Sequence, residues 1–515
     1  MPAVRPLEQR EVEHKFRVHG LFTLPDLAGE VGAVGAVEPR GTAELSSTYY
    51  DTADLRLARE SIALRRRTGG YDDGWHLKLP VSAATPGVRD EIHVPLDEGS
   101  ADSPPDALVN YVRAIVRREP LLPVASLRTQ RATYVLRDEA GALVAEFVDD
   151  SVQARGRDGE VSARFRELEL EERDGASPEV IDKISNVLAD AGAVGGEFVA
   201  KAIRALGAAA TTPPEVPEPE HARPKDPARL AIIAYLARHT RDLRAADMAV
   251  RRDAEDAVHQ LRVAARRLRS GLRVFRPLLD REWADRLRDE LRWFASSLGS
   301  YRDTEVLLSR LAPGRPMAAE PGRQVLRDRL TERMSKARAD ALDVMESRRY
   351  IALHEALVAA CASPVTAADA ELPGREVLPP LVAKAWRKLD VAADELLAAE
   401  SATAEGAPDT QWHQVRIAAK RVRYAAEAVA PVLGKDAARF AKRMAKITEV
   451  LGDHQDAAQA AAIAQEYAAT ADAELAFALG VLCGAERAHV GSARARFAML
   501  WPKVSKEKLR QWFET

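Results

Sequence analysis

Cysteine is nearly absent. Cys361 and Cys483 are the only two in 515 residues, far apart and without metal-ligand neighbours, which excludes a disulfide framework. No apolar run is long enough to span a bilayer, the most apolar stretch being Leu475 to Cys483. Met1 to Lys15 is charged and lacks the apolar core of a leader. A cytoplasmic protein with no membrane partner is expected. Aromatic residues make up only 5% of the chain, few of them lie among its arginines, and no nucleic-acid-binding module is recognisable. Together with a net charge of −3 this argues against nucleic acid as a partner.

What is present is ordinary globular material, 46% hydrophobic and 30% charged, in a chain long enough for two cores. Gly207 to Pro227 carries six prolines between Pro213 and Pro227, which forbid a continuous helix or central strand. The sequence therefore divides into a domain at 1–206, a linker at 207–226 and a domain at 227–515. Before the linker, short runs of alternating polarity (EVEHK, SSTYYDT, GWHLKLP, RDEIHVPL, RATYVL, ALVAEFVDD, RFRELELEE) read as antiparallel strands. After it, Ala, Leu and Arg recur at helical spacing, and the expected fold is an α+β multidomain chain ending in an all-α bundle.

Side chains at i, i+2 and i+4 of a strand share a face. Glu11, Glu13 and Lys15 therefore point together, as do Arg65 with Arg67, His76 with Lys78, Arg89 with Glu91, Glu146 with Asp150, and Glu167 with Glu169 and Glu171. His14 points the other way, as a packed or surface histidine. A sheet with one solvated face explains such alternation. A closed barrel with a charged lumen also explains why cations concentrate on central strands and carboxylates on the first and last ones. Such a lumen suits a linear polyphosphate held by Arg and Lys, beside carboxylates for a hard cation such as Mg²⁺ or Mn²⁺.

The ordered series EVEHK, YYDT, ALRRR, HLKLP, RDEI and RELELEE resembles the CYTH family of triphosphate tunnel metalloenzymes over residues 8 to 206, with Glu11, Glu13 and Lys15 meeting its ExExK signature. The resemblance implies an eight-stranded antiparallel tunnel that cleaves triphosphates with a divalent metal. By that resemblance Glu11, Glu13 and Lys15 are catalytic, and Glu11, Glu13, Asp150, Glu167 and Glu169 are metal ligands or orient water. Lys15, Arg65, Arg67, Lys78, Arg131 and Lys201 become substrate-phosphate ligands. Lys201, in FVAKAIRAL, lacks the serine usual before the family lysine. Arg89, Arg128, Glu91 and Glu146 have suitable company without a fixed register.

The helical half repeats itself. AVHQLRVAARRLRSGLRVFRPLL from Ala257 is echoed by QWHQVRIAAKRVRYAAEAVAPVL from Gln411, with His259 and His413 154 residues apart. SSLGSYRDTEVL around Asp303 and TEVLGDHQDAAQ around Asp456 keep nearly the same offset. Two units, about 227–375 and 376–515, related by a pseudo-twofold, are expected, with the two His-bearing helices facing a shared surface. At ~100° per residue, Arg262, Arg266, Arg269 and Arg273 form one stripe beside His259, with Leu261, Leu268, Leu272 and Phe275 opposite. The second copy offers His413, Arg416, Lys420 and Arg423 over Val415 and Val422. Its stripe ends sooner, at Glu427. Val258 to Leu279 holds six arginines and no acid.

The pattern HxxRxxxRRxR is similar to that of the CHAD (conserved histidine α-helical) domains, over residues 227 to 515. That resemblance implies binding of inorganic polyphosphate by His259, Arg262, Arg266, Arg269, Arg273, His413, Arg416, Lys420 and Arg423, and association with polyphosphate granules. The resulting expectation is a metal-dependent triphosphatase acting on inorganic triphosphate or a related triphosphate, with a polyphosphate-binding module. The alternatives are a non-catalytic polyphosphate-binding or targeting protein and, ranked lower, an adenylate cyclase.

Overall fold

Alternating polarity becomes extended chain at each of the runs named above. The computed structural model describes residues 7–81, 85, 87–172, 177–195, 201–310, 320–402 and 406–514. Met1 to Pro6 and Phe198 to Ala200, which entered two of the expectations, lie outside them. The chain forms two units, Met1–Glu215 and Val216–Thr515.

The first unit contains β1 (Leu7–Val18), β2 (Ala36–Asp51), β3 (Ala63–Thr68), β4 (Gly74–Pro80), β5 (Val88–Val94), β6 (Leu122–Arg137), β7 (Leu143–Arg155), β8 (Val161–Glu172) and the short β9 (Val194–Gly195). Eight of these close a ring in the order β5-β4-β3-β2-β6-β7-β8-β1, and β1 returns to β5; β9 lies outside on β1. Every pairing is antiparallel. The closure divides β1 in two: Leu7–Val12 pairs with β5, and Glu13–Val18 pairs with β8. The switch falls inside the Glu11-to-Lys15 motif, so that motif sits on the seam.

Directly paired residues share a face. Lys15 opposes Glu169, Arg131 opposes Asp150, Asp150 opposes Glu167, and Lys78 opposes Glu91. This register is what collects the charges inside the ring. Helix α1 (Pro178–Asp190) starts with proline at its first position, where the missing N–H costs nothing, and lays Ile181, Ile184 and Leu188 over the outward Phe16, Phe147, Leu168 and Leu170. Helix α2 (Lys201–Leu206) packs Ala202 and Ala205 against Tyr49, Leu127, Val152 and Ala154. Those four belong to the inward face, so α2 fills one end of the ring, and its alanines permit the close approach.

The second unit is helical: α3 (Ala228–Arg251), α4 (Ala257–Val274), α5 (Arg281–Ser297), α6 (Gly299–Arg310), α7 (Glu320–Glu346), α8 (Arg348–Ala362), α9 (Pro379–Ala402), α10 (Asp409–Leu433), α11 (Lys435–Ala468) and α12 (Ala473–Val504). Helix α3 packs on α4 as α9 packs on α10, and α4 on α5 as α10 on α11. The sequence echo therefore runs through equivalent helices, with one difference. The chain breaks at Leu298, between α5 and α6, and Gly299 opens α6, whereas Leu451-Gly452 lies inside the uninterrupted α11. Leu261, Leu268, Leu272 and Phe275 are buried, as are Val415 and Val422, so the apolar faces of α4 and α10 point where their periodicity places them. Among the described residues no helix is long and apolar enough to cross a membrane.

Candidate functional site

Within the ring lies a chamber of about 380 Å³ lined by Glu11, Glu13, Lys15, Arg65, Arg67, Lys78, Arg131, Glu169 and Lys201, among others. Strand parity delivers most of these; α2 delivers Lys201. Each lysine bridges carboxylates. Lys78 Nζ lies 2.5 Å from Glu11 Oε2 and 3.1 Å from Glu13 Oε1, and Lys15 Nζ lies 2.9 Å from Glu13 Oε2 and 2.6 Å from Glu169 Oε1. Lys201 Nζ reaches Asp150 at 2.5 Å, Glu169 at 3.0 Å and Glu167 at 3.2 Å. Arg131 donates two bonds to Asp150, at 2.8 and 2.7 Å, and one to Glu169 Oε2 at 3.3 Å.

The Glu11 wall holds an excess of carboxylate. Burial, only partly offset by Lys78, pushes Glu11 up to about 8, with Glu91 and Glu13 adding to the rise. Burial also opposes the charge on Glu13, but Lys15 and Lys78 outweigh it and hold that group down at about 2. Glu91 accepts from His76 Nδ1 at 2.8 Å, while burial pushes His76 down to about 4. On the opposite wall cations crowd together: burial, Arg65 and Arg131 all lower the pKa of Arg67, and Asp72 answers by pairing with it.

The sequence-selected carboxylates do not all face the chamber. Glu11, Glu13 and Glu169 line it. Asp150 and Glu167 lie behind, 0% and 1% exposed, under Lys201, Arg131 and Arg204. Arg128 is on the outer surface of the ring, beside Gln130 and Ser151. His14 bonds Glu172 outside the chamber, at 2.7 Å. Tyr71 and Asp72 line the chamber and escaped the sequence reading, because they lie on a hairpin tip where strand parity gives no direction. Arg204 escaped it too; it follows Lys201 by three residues on one helix face and pairs with Glu167 behind the chamber.

In the helical unit α4 packs on α10, which brings the two stripes together. Arg266 and Arg423 both lie 5.9 Å from the Tyr424 ring centre. Burial, then Arg416 and Arg266, pushes Lys420 down to about 7. Among the described residues Arg266, Arg269, Arg273, Arg416 and Lys420 have no ion-pair partner, and the Nε atoms of Arg266 and Arg416 are buried without a hydrogen bond. Other members of the stripe are occupied. Arg262 donates to the carbonyls of Leu298 and Gly299 at 3.1 and 3.3 Å, capping α5, and Arg423 pairs with Glu427 at 2.6 Å. His413 Nδ1 lies 2.6 Å from Gln455 Oε1, and His259 is half-buried beside Arg302.

A ring whose interior is lined by alternating carboxylates and cations, followed by duplicated helices with a shared basic face, defines the class. The CYTH domain model matches residues 9–202 and the CHAD domain model matches residues 234–465, so the chain belongs to the proteins that join a CYTH domain to a CHAD domain. It is 36% identical over 500 residues to Uncharacterized protein MT2285 of Mycobacterium tuberculosis, with 93% of each chain covered. Among solved structures it is similar to PptA from Streptomyces chartreusis (28% identity, 54% of this chain and 99% of that one, TM-score 0.46). It is also similar to the CHAD domain of the plant Ricinus communis (23% identity, 58% and 96%, TM-score 0.41).

Proposed function

We propose that the β unit is a divalent-metal-dependent triphosphatase and that the helical unit binds inorganic polyphosphate. The observation that carries the first part is the meeting of six cationic side chains with Glu11, Glu13, Glu91 and Glu169 in one chamber. Lys15, Arg65, Arg67, Lys78, Arg131 and Lys201 bind and straighten the phosphate chain, and their charge spreads over the equatorial oxygens in the transition state. Glu13, kept ionised by Lys15 and Lys78, remains available to orient a water.

The chamber suits a hard cation. Its acidic donors are carboxylate oxygens, and Glu11, raised chiefly by burial and further by Glu91 and Glu13, is a group whose charged form a divalent ion would favour. Among the described residues no three acidic, histidine or cysteine side chains converge as a ready-made metal cluster. Mg²⁺ does not require one, since it is commonly held by one or two carboxylates together with substrate phosphates. Glu11 and Glu13, with Glu169 beside them, are the residues that would hold Mg²⁺ or Mn²⁺, which would supply charge neutralisation at the transferring phosphoryl group.

The five cations without ion-pair partners on α4 and α10 support the second part. Asp456 is a nearby counter-charge for Arg416 and Lys420 without forming an ion pair with either, and a polyanion would supply the rest. A non-catalytic reading, in which the chamber only grips phosphate, draws on the lysine bridges that tie up Glu11, Glu13 and Glu169. Phosphate release from tripolyphosphate by the whole chain, with Mg²⁺, Mn²⁺ or EDTA, separates the two. Metal-dependent release that disappears in a Glu11→Gln/Glu13→Gln variant is expected. No release from any triphosphate, by folded protein that still binds polyphosphate, would leave the gripping role.

A further inference from the structure

Tyr49 lines the chamber and stands on β2 directly opposite Arg65 of β3. It is 6% exposed, with its ring against Ala202 and Ala205 of α2. Three other buried tyrosines place their hydroxyl hydrogen on an oxygen of the chain. Tyr50 donates to the Ala101 carbonyl at 2.5 Å, Tyr235 to the Arg267 carbonyl at 2.8 Å and Tyr350 to Asp247 Oδ2 at 2.9 Å. The Tyr49 hydroxyl bonds Arg65, and its other charged neighbours are Arg67 and Lys201. We propose that Tyr49 donates a hydrogen bond to the phosphate chain of the bound substrate, as a neutral ligand among the cations of the chamber. The inference rests on the triphosphate reading of that chamber and adds a residue to it.

The direction of the Arg65 bond carries the argument. A guanidinium offers N–H donors and no acceptor, and an ammonium is the same, so Arg65 can only give a hydrogen to the phenol oxygen. The O–H hydrogen of Tyr49 is left over. Among the described residues no carbonyl or carboxylate accepts it. A polar hydrogen without a partner is costly in a buried place, and an anion that enters beside Arg65, Arg67 and Lys201 brings the missing acceptor.

The same cations sharpen the donor. Burial opposes ionisation of the phenol, yet Arg65, Arg67 and Lys201 outweigh it and bring its pKa below the ordinary tyrosine value. A more acidic O–H makes a stronger bond to an anionic oxygen. Packing does not ask for the hydroxyl: a phenylalanine ring would cover the alanines of α2 equally well. The hydroxyl is therefore the part of Tyr49 that the fold leaves for a ligand.

The test uses Tyr49→Phe in the whole chain, which keeps the ring and removes only the hydroxyl. Calorimetry with tripolyphosphate in EDTA is expected to show binding about fivefold weaker, and phosphate release with Mn²⁺ about tenfold slower, at an unchanged melting temperature. A cycle with Arg65→Ala separates donation from a role confined to holding Arg65. Direct donation leaves a loss of similar size in that background, whereas action through Arg65 leaves none and overturns the proposal. Wild-type binding should also weaken at alkaline pH as the phenol loses its hydrogen; the absence of that limb overturns the proposal even where Tyr49→Phe does not fold. Equal binding by wild type and Tyr49→Phe overturns it, and so does tighter binding by the variant, which would mark a phenolate competing with phosphate. If nothing is hydrolysed the triphosphatase reading falls and the EDTA titration still decides Tyr49. Wild type that binds no tripolyphosphate overturns the reading of the chamber and this inference with it.

Discussion

Lys201 Nζ lies 2.5 Å from Asp150 Oδ2, and so joins the helix that fills one end of the ring to a carboxylate with no solvent exposure. The lysine itself is 7% exposed. Burial costs both charges their hydration, and burial alone would neutralise Asp150; instead Lys201 and Arg131 keep it ionised below its ordinary range. Removing one member of a buried pair strands the other. Lys201→Met is expected to destabilise the β unit by about 3 kcal/mol, and Lys201→Met/Asp150→Asn to recover part of that loss. Urea unfolding followed by proteolysis of the β unit measures both, and a loss below about 1 kcal/mol would contradict a structural role for the pair.

Arg67 meets Asp72 in the free chamber, and a phosphate that takes this guanidinium must displace the carboxylate. The two anions compete for one site. Asp72→Asn keeps the shape and removes the competing charge, so tripolyphosphate is expected to bind about tenfold more tightly in EDTA. Calorimetry reads this directly. Unchanged or weaker binding would mean that Asp72 helps to place Arg67 for the ligand.

The ring was legible because its chemistry follows the period of a strand. Glu11, Glu13 and Lys15 share a face by counting alone, and the same counting separates Arg131 from Arg128, which the register puts outside. Hairpin tips carry no such period, so Tyr71 and Asp72 gave no signal. Helical periodicity likewise found the direction of Arg262 but not its acceptors, which belong to a helix end 36 and 37 residues away. The two Leu-Gly pairs look alike in sequence, yet one ends a helix and the other does not. Neighbouring packing decides that difference.

Five cations on α4 and α10 without ion-pair partners repel one another, and the folded unit bears that cost until an anion relieves it. Long-chain polyphosphate is expected to raise the melting temperature of the helical unit, by mass action on the folded state. The rise should shrink as salt is added, because counterion release contributes to binding. Arg266→Ala/Arg416→Ala should remove most of it. A rise that is equal in the variant would place the polyanion elsewhere.

Lys420 makes the polyanion surface sensitive to pH. Burial, Arg416 and Arg266 push it down to about 7, so in the free protein it is charged below that value and neutral above it. A bound polyanion favours the charged form, and binding above pH 7 must therefore take up a proton. The sign follows: affinity for polyphosphate is highest below about pH 7 and falls as pH rises, by up to about tenfold per pH unit. Arginine at this position stays charged throughout, so Lys420→Arg should flatten the decline between pH 7 and 8.5 while leaving affinity at pH 6 nearly unchanged. Titration of polyphosphate binding at constant ionic strength checks both statements. An undiminished decline in Lys420→Arg would transfer the proton to another group, with His259 and His413 the next to be substituted.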